Sequence, residues 1–359
     1  MMTDNDNETQ RVIGGIDTHK DIHVAAVLDE LGRLIDTRVF ATTGYGYRQL
    51  HRWLCEHGEV LAVGVEGTGS WGAGISRFLR ARGLNVIEVN RPNRQTRRRK
   101  GKSDTVDAEM AARAVLAGDA TVTPKTADGP VEALRQLRLA RAGAMKARTA
   151  AANQLHSLTD TAPDELRARL RSLTTLQRAR LCARLRPGDV FTPTGAAKRA
   201  LRSVAHRWLA LREETLELSR DIKQILDTIA APMLERHGVG YETTGTLLCA
   251  AGDNPERLDT EAGYAALCGT APVRVSSGKT NRHRLNRAGD RQANSALWTI
   301  VMVRIRSNHP PTIAYLERRT TDGLSKREAI RCLKRYVARE IYNDIRTIIT
   351  THNTQQIAA

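Results

Sequence analysis

Aromatic side chains are scarce in this chain: three Phe, four Trp and seven Tyr make 4% of 359 residues. Base stacking on an aromatic platform is therefore not expected to dominate contact with nucleic acid. Cysteine is equally sparse. Cys55, Cys182, Cys249, Cys268 and Cys332 are odd in number and never spaced Cys-x-x-Cys. That excludes a disulfide frame and a zinc knuckle, and fits thiols kept reduced in a cytosol. No apolar run approaches the ~20 residues of a membrane-spanning helix, so no membrane partner is expected. Met1 to Gln10 is acidic and polar, unlike a signal peptide. Acids are also outnumbered, with 39 Asp and Glu against 56 Lys and Arg and a net charge of +17. An excess of that size points to a polyanionic partner, most commonly nucleic acid. The length and 41% hydrophobic content support two or three domains with cores of their own.

The first third reads as an α/β unit. Val12 to Asp17 reads as a buried strand, and Ile22 to Leu28 and Arg33 to Thr42 as two further strands joined by short turns, the pattern of an antiparallel meander. A helix over Tyr47–His57, a strand over Val60–Glu66, a helix over Trp71–Arg82, a strand over Leu84–Val89 and a helix over Ser103–Leu116 follow. This order predicts a mixed sheet flanked by helices.

Four acids stand out within it. Asp17 and Glu66 end buried apolar strands, where a charge is costly unless paired or bound to metal. Asp104 and Asp107 lie three residues apart at a helix start and so share one face. Two carboxylates about 4 Å apart repel by roughly 4 kcal/mol at an effective dielectric near 20. Taken singly, each acid has an ordinary explanation: a turn cap for Asp17, an arginine pair for Glu66, a helix N-terminus for the Asp-x-x-Asp run with Ser103 or Asp104 as cap. Four converging carboxylates, however, suit two Mg²⁺ ions about 3.5–4 Å apart, which clamp both oxygens of an in-line phosphoryl displacement. Between the last strand and that helix, Arg91 to Lys102 contains no acid, and Arg94, Arg97, Arg98, Arg99, Lys100 and Lys102 are expected to contact a phosphate backbone. A solvated loop is the ordinary alternative.

Gly15-Ile16-Asp17-Thr18-His19-Lys20, Val65-Glu66-Gly67-Thr68-Gly69 and Lys102-Ser103-Asp104-Thr105-Val106-Asp107-Ala108 resemble the DEDD signature of the insertion-sequence one-ten family of transposases, which also contains the pilin-gene DNA invertase. The resemblance implies a RuvC-like, ribonuclease H-type domain over residues 11–125, with Asp17, Glu66, Asp104 and Asp107 as its catalytic, metal-binding tetrad. Mg²⁺ is the implied cofactor, with Mn²⁺ as a substitute.

From Val131 to Leu158 and from Lys198 to Ile229, residues rich in Ala, Leu and Arg repeat at helical spacing. A helical connector over 126–232, an antiparallel coiled-coil pair or a dimerisation element, is expected. The family resemblance places a coiled-coil insert there. His237 to Gly245 reads either as a helix-hairpin-helix facing phosphate or as a plain turn between helices.

The segment 233–359 is read as a mostly α C-terminal domain. Gly278-Lys279-Thr280 is not a P-loop, because the position five residues before Gly278 is Val273. Ser276-Ser277-Gly278 can be an ordinary turn. Its surroundings, Lys279, Arg282, Arg284 and Arg287, also suit hydroxyl attack on a DNA phosphate with cations on the developing charge. The same family carries a nucleophilic serine four residues after a proline. From Pro272 that position is Ser276, with Ser277 the fallback; Arg287 to Asn294 is similar to the family as well. Ser325 to Thr350 reads as a core helix with Arg331, Lys334, Arg335 and Arg339 on an outer basic face, followed by a disordered tail. The resemblance therefore implies a recombinase of donor and target DNA in a bacterial cytoplasm, associated with the nucleoid. It further implies guidance by a non-coding bridge RNA and a homo-oligomer, dimer or tetramer. A metal-only nuclease of the Holliday-junction type and a non-catalytic nucleic-acid-binding protein are the alternatives.

Overall fold

The computed structural model describes residues 10–89, 103–277, 280–284, 286, 287 and 289–357. The chain forms two compact units, Met1–Asp128 with Ala251–Thr260, and Gly129–Ala250 with Glu261–Ala359. Among the described residues no helix is long and apolar enough to cross a membrane.

In the first unit, strands β1 (Arg11–Thr18), β2 (Ile22–Asp29), β3 (Leu34–Ala41), β4 (Glu59–Glu66) and β5 (Val86–Val89) form one sheet in the order β3-β2-β1-β4-β5. The pairs β1/β2 and β2/β3 are antiparallel, while β1/β4 and β4/β5 are parallel. This is the mixed sheet expected from a meander followed by helix–strand alternation. Helices α1 (Gly44–Glu56) and α2 (Ala73–Arg80) provide the crossovers. Thr43 starts α1 by accepting a hydrogen bond from the Gly46 amide at 3.1 Å, a standard N-cap.

Strand alternation decides which layer each residue meets. Val12, Ile16, Val63 and Val65 join Leu50, Trp53, Leu54, Ile75 and Leu79 of α1 and α2 in the main core. On the opposite face Ile13 and Leu28 pack against Ala112, and Val24 and Ala26 against Ala108, both on α3 (Asp104–Leu116). Residues 251–260 return to this unit, a contact that local periodicity does not announce. Arg80 Nη2 meets Glu256 Oε1 at 2.9 Å, and Asn254 Nδ2 donates to the Pro124 carbonyl at 3.2 Å.

Among its described residues the second unit is helical apart from one hairpin. Its long helices α4 (Pro130–Asp160) and α7 (Pro193–Ile229) flank α5 (Asp164–Arg171) and α6 (Thr175–Ala183). Leu155, Leu166, Leu170, Ala179, Leu201 and Trp208 form the core between them. Pro193 sits in the first turn of α7, where its missing N–H costs nothing, so the helix begins five residues before the apolar pattern starting at Lys198. After α8 (Ala231–Leu234) come α9 (Tyr241–Ala251), α10 (Glu261–Leu267), strands β6 (Val273–Ser277) and β7 (Thr280–Arg284), α11 (Arg291–Arg306), α12 (Pro310–Thr321) and α13 (Lys326–Ile357). Helix α13 continues through the segment after Thr351 that was expected to be a disordered tail.

Candidate metal centre and serine hairpin

Two glycines bring the acids together. Gly15 and Gly64 are register partners on the parallel strands β1 and β4. A Cβ on Gly15 would stand 2.1 Å from the Ala108 carbonyl oxygen and 2.4 Å from the Ala112 amide nitrogen. One on Gly64 would meet the Ala111 carbonyl oxygen at 2.6 Å. The missing side chains leave a shallow trough, and α3, lined with the buried Ala108, Ala111 and Ala112, lies backbone-deep in it. Asp17 and Glu66 follow the glycines by two residues, so they project from the same sheet face toward α3. Asp104 and Asp107 occupy the first turn of that helix.

Asp17 is 7% exposed and Asp107 3%, whereas Asp104 is exposed and Glu66 half-buried. Burial pushes the Asp17 carboxyl above its ordinary range; the neighbouring Asp107 and Asp104 charges push the same way, and His19 opposes them. His19, in the short turn after β1, reaches into the group. Its Nε2 lies 3.2 Å from Asp17 Oδ2 and 3.4 Å from Asp104 Oδ2. Neither contact is an aligned hydrogen bond, and Nε2 itself is sequestered from solvent. One ligand atom each from Asp17, His19 and Asp104 lies within 4.8 Å of the other two. Glu66 and Asp107 stand outside that set, although the charge of Asp107 is felt at Asp17.

These donors fit a hard divalent cation. The two carboxylates repel each other unless a positive charge, a protonated His19 or a cation, lies between them. Cis donors in an octahedral shell with bonds of ~2.0–2.1 Å stand about 3 Å apart, close to the spacings of His19 from its two neighbours. His19 lies in the quoted motif yet was not among the site residues expected from sequence. Its histidine two positions after a strand-end acid was the available signal.

The backbone beside Glu66 is tightly organised. Thr18 Oγ1 donates to the Glu66 carbonyl at 2.9 Å, and the Gly67 carbonyl accepts from the Ser70 and Gly72 amides at 2.8 and 3.0 Å. Gly67 has φ +67°, a left-handed conformation in which glycine is free of strain. Ser103 holds the N-cap position of α3, but its hydroxyl bonds Thr105 Oγ1 at 2.6 Å rather than a backbone amide. The expected side-chain cap is therefore absent among the described residues.

In the second unit β6 and β7 form an antiparallel hairpin with Ser276 opposite Asn281 and Ser277 opposite Thr280. Both serines are thus in the strand, at its C-terminal end. The hairpin is anchored at its base. A Cβ on Gly289 would stand 2.2 Å from the Gly269 amide, Asp290 Oδ1 caps α11 by accepting from the Gln292 and Ala293 amides at 2.7 and 2.9 Å, and Asn294 Nδ2 donates to the Cys268 and Gly269 carbonyls at 2.9 and 3.0 Å. Lys334 Nζ completes the group by donating to Asn294 Oδ1 at 2.8 Å. With 6% exposure Lys334 is buried, a correction to the outer basic face expected for it. Arg284, at the end of β7, and Arg287 are exposed; Arg282 lies in β7. Arg94, Arg97, Arg98, Arg99, Lys100, Lys102 and Lys279 lie outside the described residues.

No curated protein matches the chain. Residues 14–163 match a transposase family named for its DEDD motif and for IS110, and residues 231–317 match the transposase IS116/IS110/IS902 family. The first match spans all four acids with the glycines on which α3 packs, and the second spans the serine hairpin with Gly269, Gly289, Asp290 and Asn294 at its base, so the chain belongs to the IS110 family of transposases.

Proposed function

We propose that this transposase cuts and rejoins DNA through a serine nucleophile assisted by a divalent metal. The observation that carries the reading is the convergence of Asp17, His19 and Asp104 on one point, beside Asp107 on the helix docked over Gly15 and Gly64. Residues 11–125 are read as a RuvC-like metal-binding domain, 126–232 as a coiled-coil connector and 233–359 as the domain that supplies the serine. Asp17, Glu66, Asp104 and Asp107 would hold Mg²⁺, with Mn²⁺ as a substitute and His19 Nε2 as an added nitrogen donor. When bound, the metal would neutralise charge on the phosphoryl oxygens and the leaving oxygen.

Ser276, with Ser277 as the alternative, attacks a DNA phosphorus. A P–Oγ bond forms, the P–O bond to one deoxyribose breaks, and that sugar oxygen leaves with the proton lost by the serine. Because the phosphoserine ester conserves the bond, the reverse attack by a new strand end rejoins DNA without an energy source. Lys279, Arg282, Arg284 and Arg287, near the serine in sequence, and the Arg94–Lys102 run are read as phosphate contacts. A bridge RNA, donor and target DNA, a dimer or tetramer, and a site of action on nucleoid DNA in the cytoplasm rest on the family resemblance.

The test is covalent trapping with purified protein, Mg²⁺, RNA from the element flank and labelled element-junction DNA, resolved on a denaturing gel. A labelled adduct that disappears with Ser276→Ala and with Asp104→Asn is expected. Free cleaved DNA without an adduct, unaffected by Ser276→Ala, would replace the serine mechanism with that of a metal-dependent nuclease. For His19, pulsed EPR of the Mn²⁺ protein should show a directly bound ¹⁴N that His19→Gln removes; bound Mn²⁺ without nitrogen coupling refutes that role.

A further inference from the structure

An open cleft of about 840 Å³ in the second unit is lined by the Gly269–Pro272 loop, α12 and α13. Its wall is cationic. Arg331, Arg335 and Arg339 lie four residues apart on α13 and line it together with Arg318 of α12. Residues at that spacing share a helix face and rise about 6 Å per step, which makes a row of positive charge along one side. Part of it is neutralised. Glu261 takes Arg335, donating from Nη2 at 2.8 Å, and stands 3.6 Å from Arg339. Glu328, the one acid on the wall, is engaged by the Ser325 hydroxyl at 2.6 Å. Among the described residues Arg331 makes no ion pair.

Two of the seven tyrosines meet here. Tyr315 and Tyr336 pack edge to face with centroids 5.3 Å apart, Arg318 sits 5.3 Å over Tyr315, and Arg339 sits 5.9 Å over Tyr336. Tyr336 nevertheless remains 52% exposed. An exposed ring bracketed by guanidinium groups is more than phosphate binding requires. In a duplex the base faces are already stacked on each other, and a protein meets only phosphates and base edges. A tyrosine face becomes useful when a base is unpaired.

We infer that this cleft binds single-stranded nucleic acid, with an unpaired base stacked on Tyr336 and its flanking phosphates on Arg331 and Arg339. The inference rests on the nucleic-acid partner of the transposase reading but assigns a different site and strand state. Aromatics are few overall, yet two of them meet at this cleft.

The full chain would be titrated by fluorescence anisotropy with a labelled 12-nucleotide single-stranded RNA, the same sequence as DNA, and the DNA duplex. Tyr336→Ala is expected to weaken single-strand binding roughly 5- to 100-fold, leave duplex binding within about twofold and spare the melting temperature. Tyr336→Phe should bind like wild type, because the ring face is kept. Arg331→Gln should reduce the single-strand salt slope by about 0.7. Comparison of the RNA and DNA arms identifies which single strand is preferred. Unchanged single-strand affinity in Tyr336→Ala, or equal loss on duplex, overturns the inference. Failure of the serine mechanism would instead appear as absence of the covalent adduct while single-strand binding persists.

Discussion

Replacing Gly15 with alanine tests whether the sheet–helix approach assembles the acids. The added Cβ would stand 2.1 Å from the Ala108 carbonyl oxygen, about 1.3 Å inside the 3.4 Å at which ordinary contact begins. The opposing atoms are backbone, so no rotamer change relieves the clash and α3 must lift or slide. Overpacking of this kind costs about 1–3 kcal/mol, a fall in melting temperature on the order of 1–4 °C for a chain of this size. The larger effect falls on the site. Asp104 and Asp107 ride on α3 while Asp17 stays on the strand, and functional constellations tolerate only about 0.5 Å of displacement. Mn²⁺ binding by calorimetry should weaken at least tenfold, and DNA cleavage should fall by about 100-fold. Gly14→Ala is the control, because its Cβ would meet side-chain atoms of Leu54 and Val63 at 3.0 and 3.3 Å, which can give way. A Gly15→Ala protein with wild-type melting temperature and Mn²⁺ affinity would refute the account.

His23 is fully buried, stacks on Tyr47 with centroids 5.7 Å apart, and is pushed by burial from 6.5 down to about 4. The unfolded chain therefore binds a proton here that the folded chain refuses. The stability this contributes is full above pH 6.5 and is lost as pH falls toward 4, on the order of 3 kcal/mol; His23→Phe should flatten that stretch of a melting-temperature-versus-pH curve. Glu340 accepts from Arg304 Nη1 and Nη2 at 2.8 and 2.9 Å while the Arg304 side chain is 7% exposed. Glu340→Leu should cost about 3 kcal/mol in chemical denaturation, whereas breaking the exposed Arg220–Glu213 pair should cost under about 1 kcal/mol.

The local order of the first unit was legible because apolar runs and short turns alternate there; β3, with Asp36, Thr37 and Arg38 inside it, was legible only from its place after a short turn. From Asp17 and Glu66 at two strand ends, and Asp104 and Asp107 on one helix face, the sequence alone suggested the acids as a group; the structure brings Asp17 and Asp104 together with His19, and Glu66 and Asp107 stand outside that set. The long helices of the second unit were legible from their spacing, with errors at the ends: Pro193 is compatible with a first turn, and polar residues after Thr351 continue a helix without an apolar stripe.

What required the tertiary structure is contact between distant residues. Gly15 and Gly64 look like ordinary strand glycines until register pairs them and α3 fills the trough. His19 has Asp17 beside it in its own segment, but the three-donor group is complete only when the start of α3 brings Asp104 to its ring. Lys334 reads as one more surface cation, yet Asn294, 40 residues earlier in the chain, draws it into the anchor of the serine hairpin. The tyrosines of α12 and α13 are 21 positions apart and meet only because the two helices pack. Periodicity specifies which face of an element is apolar; which other element covers that face is decided by packing, and the chemistry of this protein is placed by such pairings.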